Sequence, residues 1–129
     1  MIVDFPEFPL TKVFVGGCIA RGEGSSFRAS AHAHNSKTDK HFGTTCIRSK
    51  KPDTLRLPNG EPSNLMKHEY AHILCPNEGH TRKYWTVLAK IGGFMEREDY
   101  FGHKAKDFLK MRVKWEQVSS QVANNTLEL

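Results

Sequence analysis

The stretch SNLMKHEYAHILCPNEGH, Ser63 to His80, decides how this chain is read. Ser63 follows Pro62 and suits a helix cap, because its hydroxyl can accept from a backbone N–H that the first turn leaves unpaired. Leu65, Met66, Tyr70, Ile73 and Leu74 then recur at helical spacing and form one apolar stripe. Pro76 and Asn77 end the helix, since proline does not fit a continuing helical turn. Inside it stands His68-Glu69-Tyr70-Ala71-His72, an H-E-x-x-H pattern. Residues four apart share one helical face, so both imidazoles can point at one ion. Neutral imidazole suits Zn²⁺, with bonds of about 2.0–2.1 Å. Glu69, next to the first histidine, is placed to take a proton from water at the ion rather than to bind the ion itself.

A catalytic zinc takes three protein ligands and keeps a fourth position open. His80 is the expected third. It follows the tight turn Cys75-Pro76-Asn77-Glu78-Gly79 and opens the next helix, so the chain can fold back toward the His68/His72 face. Glu78 is the next candidate, and Glu96 and Glu98 are later ones. The plainer reading makes His68 and His72 surface histidines and Glu69 a solvated charge. The helix signals and the third histidine weigh against it.

Working outward, 129 residues make a single domain with room for one small core. A second helix is expected over about 80–91, stopped by Gly92–Gly93, and a third over about 103–118, with 119–129 as a frayed tail. Ahead of Ser63 the pattern changes. Residues 12–20 are β-branched, with a break or bulge at Gly16–Gly17. Residues 27–34 alternate, and 44–49 make a third short strand. The expected class is therefore α+β: a small three- to four-stranded sheet packed on the H-E-x-x-H helix, plus two further helices. Residues 1–62 are mainly strands and loops, and 63–118 are helical.

Lys and Arg number 19 against 14 for Asp and Glu, giving +5 with histidine neutral, a weak pull toward polyanions. No run reaches the roughly 18–20 apolar residues that cross a bilayer, and the start MIVDFPEFPL lacks the basic and apolar regions of a secretory signal. Three cysteines, odd in number and widely spaced, exclude a disulfide scaffold and point to a reducing cytoplasm.

Seven histidines are many for this length. His32 and His34 fall on one strand face, with His41 in the next loop. Such a pair can hold a metal, but with no cysteine or carboxylate cluster beside it the face reads as polar and solvated. Cys75, Trp85 and Trp115 read as core. The basic residues Lys104, Lys106, Lys110, Arg112 and Lys114 read equally as a solvated helix face or as a contact to nucleic acid.

The stretch HEYAHILCPNEGHTRKYWTVLAKIGG, a fifth of the chain, resembles the active-site region of SprT-like zinc metallopeptidases. That group includes the Spartan-type proteases of DNA–protein crosslink repair and the YgjP-like bacterial peptidases. The resemblance implies a minimal zincin-like domain with one catalytic Zn²⁺ on His68, His72 and His80. It makes Glu69 the catalytic carboxylate, and Gly79 and Trp85 match the family's flanking glycine and aromatic. It implies a protein or peptide substrate, with DNA-associated proteins as one class. The chain departs from the family in lacking a zinc ribbon of paired C-x-x-C, and Pro6 and Pro9 leave little room for a helix ahead of the sheet.

The chemistry expected of such a site is peptide hydrolysis. Zinc lowers the pKa of a bound water toward about 7, and Glu69 accepts its proton and passes it to the leaving amine. The strand 44–49 is the expected edge for pairing with an extended peptide. Tyr84 and Tyr70 are candidates for oxyanion or substrate contact, or else buried aromatics. Two other functions compete: a non-catalytic, zinc-stabilised module that binds nucleic acid or protein, and a hydrolase of non-protein amides such as peptidoglycan.

Overall fold

Two β-branched and small-residue segments, Lys12–Val15 (β2) and Thr44–Ile47 (β6), lie side by side and parallel at the centre of a four-stranded sheet. Ile2–Val3 (β1) adds antiparallel to β2, and Ala31–Ala33 (β5) adds antiparallel to β6, giving the order β1-β2-β6-β5. Gly17–Cys18 (β3) and Gly22–Glu23 (β4) form a separate two-stranded ribbon. A 3₁₀ turn at Pro52–Thr54 precedes the helices Asn64–Leu74 (α1) and Arg82–Lys90 (α2). This computed structural model describes residues 1–25, 29–94, 112–113 and 115–121.

Register decides what each sheet face carries. Ala31, Ile47 and Val15 stand abreast, as do Ala33, Thr45 and Val13. Successive side chains alternate faces. On this face Val13, Val15, Ala31 and Ile47 meet Met66, Tyr70 and Ile73 of α1, joined by Phe5 and Phe8, in the main core. His32, Cys46 and Phe14 stand abreast on the other face, where Phe14 and Cys46 pack with Cys18. α2 docks on α1 through Ala71, Tyr84, Trp85 and Leu88, with Val118 closing the group. Each fully buried side chain of this kind contributes about 1.5–3 kcal/mol.

The α+β class holds, as a small fold with a mixed sheet. The strand expected over 12–20 is divided. Gly16 adopts φ 82° and the chain turns out of the sheet. Gly17 then passes so close to the ribbon that a Cβ there would lie 2.5 Å from the Gly22 carbonyl oxygen, so only glycine fits. The strand expected over 27–34 shortens to β5, with 26–28 outside the described residues.

Ser63 caps α1 as expected, its Oγ accepting from Met66 N at 3.2 Å and donating to Thr54 O at 2.8 Å. α2 starts at Arg82, two residues later than expected, because Thr81 is its N-cap: Thr81 Oγ1 accepts from Tyr84 N at 3.4 Å. It ends where expected. The Gly92 and Gly93 N–H groups reach back to Ala89 O and Leu88 O, with Gly92 at φ 81°, the paired bonds of a Schellman motif. A third helical run covers 112–113 and 115–121, continuing past Val118 where fraying was expected. Residues 103–111 and 122–129 of that expectation lie outside the described residues. No helix among those described is long and apolar enough to cross a membrane.

Candidate metal centre

His68 and His72 project from α1 on the side facing α2, and His80 arrives from the turn between the helices. Each offers one ligand nitrogen, and the three lie within 4.8 Å of one another. Two nitrogens bound to one tetrahedral ion at about 2.0–2.1 Å stand about 3.3–3.4 Å apart. Nε2 of His72 and Nε2 of His80 are 3.2 Å apart. The donor set therefore fits a single small divalent cation with imidazole ligands.

α2 supplies the floor beneath these rings. Tyr84 stacks on His72, with ring centroids 4.3 Å apart and planes at 22°, and its hydroxyl donates to the His68 carbonyl at 2.9 Å. Trp85 stacks under His80 at 5.2 Å and 20°. Both aromatics are completely buried, so the rotamers of the histidines are held by packing before any ion arrives.

The turn that delivers His80 is fastened to the sheet. Asn77 takes a left-handed conformation at φ 62°, which asparagine tolerates better than most residues. Its N–H donates to Asn35 O at 2.8 Å and its Oδ1 accepts from Lys37 N at 3.1 Å, while Asn35 Nδ2 donates to Glu78 O at 2.9 Å. These three bonds tie the His80 segment to the loop that leaves β5. Glu78, the alternative third ligand, accepts a 2.6 Å bond from Thr81 Oγ1 and stands apart from the trio. Glu96 and Glu98 lie outside the described residues.

Glu69 sits on the same α1 face as Met66, Tyr70 and Ile73, toward the sheet, and is 5% exposed. Its Oε1 is 3.7 Å from His68 Nε2, beside the ligand nitrogens rather than among them. Burial pushes the His72 imidazole down to about 3, with His68 and His80 adding to the effect, so it is neutral at ordinary pH. A neutral ring is the form that ligates metal.

The structure places both tyrosines expected at the oxyanion or substrate: Tyr84 spends its hydroxyl on the His68 carbonyl, and Tyr70 stacks on Phe8 in the core at 4.1 Å and 12°. The expected substrate edge also moves. β6 is flanked by β2 and β5, so β5 is the sheet edge on the α1 side. Ser30 and His34 bond toward β6, so by alternation Ala31 and Ala33 turn their peptide groups outward. Of the basic helix proposed over 104–114, Arg112 is described, and it is exposed and paired with Glu116 at 3.1 Å. The rest lies outside the described residues, apart from Val113.

One group was misread from sequence. His32 and His34 do not form a solvated face. They are part-buried, and Cys18 and Cys46 converge on them, with one ligand atom from each of the four within 4.8 Å of the others. Burial lowers the His32 imidazole and raises the Cys46 thiol to about 11. Burial also works against a Cys18 thiolate, but hydrogen bonds from the Ala20 backbone, His34 and Arg21 outweigh it and hold that thiol at about 7. Cys75, Trp85 and Cys46 are fully buried, as core residues are. Compared with protein-family models, curated proteins and solved structures, the chain matches none.

Proposed function

We propose that this chain is a zinc-dependent peptidase of the SprT-like kind, with a zincin-like arrangement of helix and sheet. The observation that carries the reading is the convergence of three imidazole nitrogens on one point, with a buried carboxylate, Glu69, 3.7 Å from one of them. Zinc on this trio supplies a Lewis acid and a water that ionises near neutral pH.

The remaining steps belong to the protein. Glu69 accepts a proton from the attacking water and donates it to the departing amine. Its burial keeps the carboxylate beside the His68 imidazole rather than in bulk water, which strengthens its interactions with charge that develops beside it. An extended peptide pairs with the outward Ala31 and Ala33 peptide groups of β5, a backbone contact that is tolerant of sequence. The aromatic floor of Tyr84 and Trp85 fixes the ligand geometry so that little reorganisation is needed in the reaction.

The competing reading, a metal-stabilised binding module, is less well supported. Structural zinc sites close with four protein ligands, and this cluster has three among the described residues. A structural site also requires no carboxylate beside an open position. Glu69→Gln separates the two. It should lower hydrolysis of an unfolded protein substrate by about 10²–10⁴-fold while bound zinc, measured by atomic spectroscopy, stays at the wild-type level. A Glu69→Gln protein that cleaves at the wild-type rate, or a zinc-loaded wild type that cleaves no peptide bond, would overturn the proposal.

A further inference from the structure

The sheet face turned away from the α1 core carries a second set of metal-ligand side chains that peptide hydrolysis leaves unused. Cys18 comes from β3, His32 from β5, Cys46 from β6, and His34 from just beyond β5. We propose that Cys18, His32, His34 and Cys46 bind a second, structural Zn²⁺ in a closed tetrahedron of two thiolates and two imidazoles.

The spacing fits. A sulfur at about 2.3 Å and a nitrogen at about 2.0 Å on one tetrahedral zinc stand about 3.5 Å apart. Cys18 Sγ and His34 Nε2 are 3.6 Å apart, and all four ligand atoms fall within 4.8 Å of one another.

The surroundings are also those of a metal site. Asp39 Oδ2 lies 2.9 Å from His34 Nδ1, which leaves Nε2 as the nitrogen turned to the cluster. A carboxylate on the far nitrogen of a ligating histidine fixes its orientation and raises its basicity. The Ile19 N–H points at Cys46 Sγ from 3.5 Å, and the Cys18 N–H is held by Ser25 Oγ at 2.8 Å. The close passage of Gly17 over Gly22 brings Cys18 into line with the other three.

Two other uses of these residues fit less well. Cys18, His34 and Asp39 make a thiol–imidazole–carboxylate chain, as a nucleophilic cysteine would have. But Cys18 is 3% exposed and Cys46 is fully buried, so no substrate can approach. A pair of inert core thiols does not account for two part-buried histidines and a carboxylate aimed at them. An ion does, and it also closes a face whose apolar group, among the described residues, is Phe14, Cys18 and Cys46 with Ile19 against them. Small cores of this kind are commonly completed by a metal.

The test uses Co²⁺ on the full, reduced, metal-free chain. Thiolate ligands give an intense sulfur-to-cobalt charge-transfer absorption in the near ultraviolet, and the His68/His72/His80 site has no sulfur to give it. The wild type should take up two equivalents, one of them with this band. His72→Ala should lose the equivalent without the band and keep the other. Cys46→Ser should do the reverse. Should Cys46→Ser not fold, the wild type still decides, since Zn²⁺ added to the cobalt-loaded chain should displace Co²⁺ from the thiolates and abolish the sulfur band. Absence of the sulfur band at saturating Co²⁺, or a band that excess Zn²⁺ leaves unchanged, would overturn the second site while leaving the three-histidine site standing.

Discussion

His80 is the only member of the histidine trio that no helix carries, so it offers the sharpest probe of the proposed zinc site. Structural zinc sites with four ligands bind with an apparent ~10–16 kcal/mol, which divides to about 2.5–4 kcal/mol per ligand. Its removal should therefore weaken zinc binding by about 10²–10³-fold. Among the described residues, the alternative ligand Glu78 accepts a bond from Thr81 Oγ1 and stands apart from the trio. His80→Ala would also uncover Trp85, on which the imidazole stacks at 5.2 Å. His80→Phe separates the two effects, since it keeps a ring on the indole and removes both nitrogens. Competition with a chromophoric chelator, following the equivalent that gives no sulfur band with cobalt, should show the same loss for Ala and Phe, with Phe the more stable protein. Zinc affinity within about threefold of wild type in both variants, under 1 kcal/mol, would refute the assignment and move the third ligand elsewhere.

Three further outcomes follow from the geometry. Asn35→Ala removes the 2.9 Å bond to Glu78 O and should weaken zinc about tenfold, as loss of support behind a ligand does. An unchanged affinity in the same titration would mean that the turn holds itself. Ser63→Ala removes the α1 cap and strands the Thr54 carbonyl, so the urea midpoint should fall by an equivalent of about 1–2 kcal/mol with an unchanged m-value. In the metal-free chain, His72 binds a proton near pH 6.5 when unfolded but only near 3 when folded. Its contribution is thus present above pH 6.5 and lost as pH falls toward 3, amounting to about 2 kcal/mol between pH 7 and 5. Urea unfolding of wild type and His72→Gln should diverge by that amount, and parallel pH profiles would contradict the assigned burial effect.

The parts of the site that were legible in the sequence obey local rules. Ser63 reads as a cap because a hydroxyl reaches its own first turn, and His68 and His72 read as a pair because helical spacing fixes their common face. His80 was within reach because only a short turn separates it from α1. One local signal was missed, since Thr81 caps α2 and the helix does not open at His80. The other failures came where distant segments decide. β6 was read as an edge because nothing local reveals its parallel pairing with β2. Cys18 and Cys46 looked like isolated thiols because their partners His32 and His34 come alongside only when that pairing sets the register. Glu69 was legible as a base, but its burial against the sheet was not.

The parallel pairing of β2 with β6 bears on the order in which the molecule assembles. Its register joins Lys12 to Thr44, so the intervening chain, with β3, β4 and β5 on it, must be closed before any of those bonds form. The helical hairpin from Ser63 to Lys90 needs no such closure, and neither do its three histidines. The difference in closure entropy between the spans Cys18–Cys46 and His68–His80 is small, about 0.7 kcal/mol. The difference in rate is not, because non-local strand pairing is the slow class of folding event. Refolding in the presence of metal should therefore fill the histidine trio early, while Glu69 still faces water, and burial of that carboxylate should follow only when the sheet arrives beneath α1.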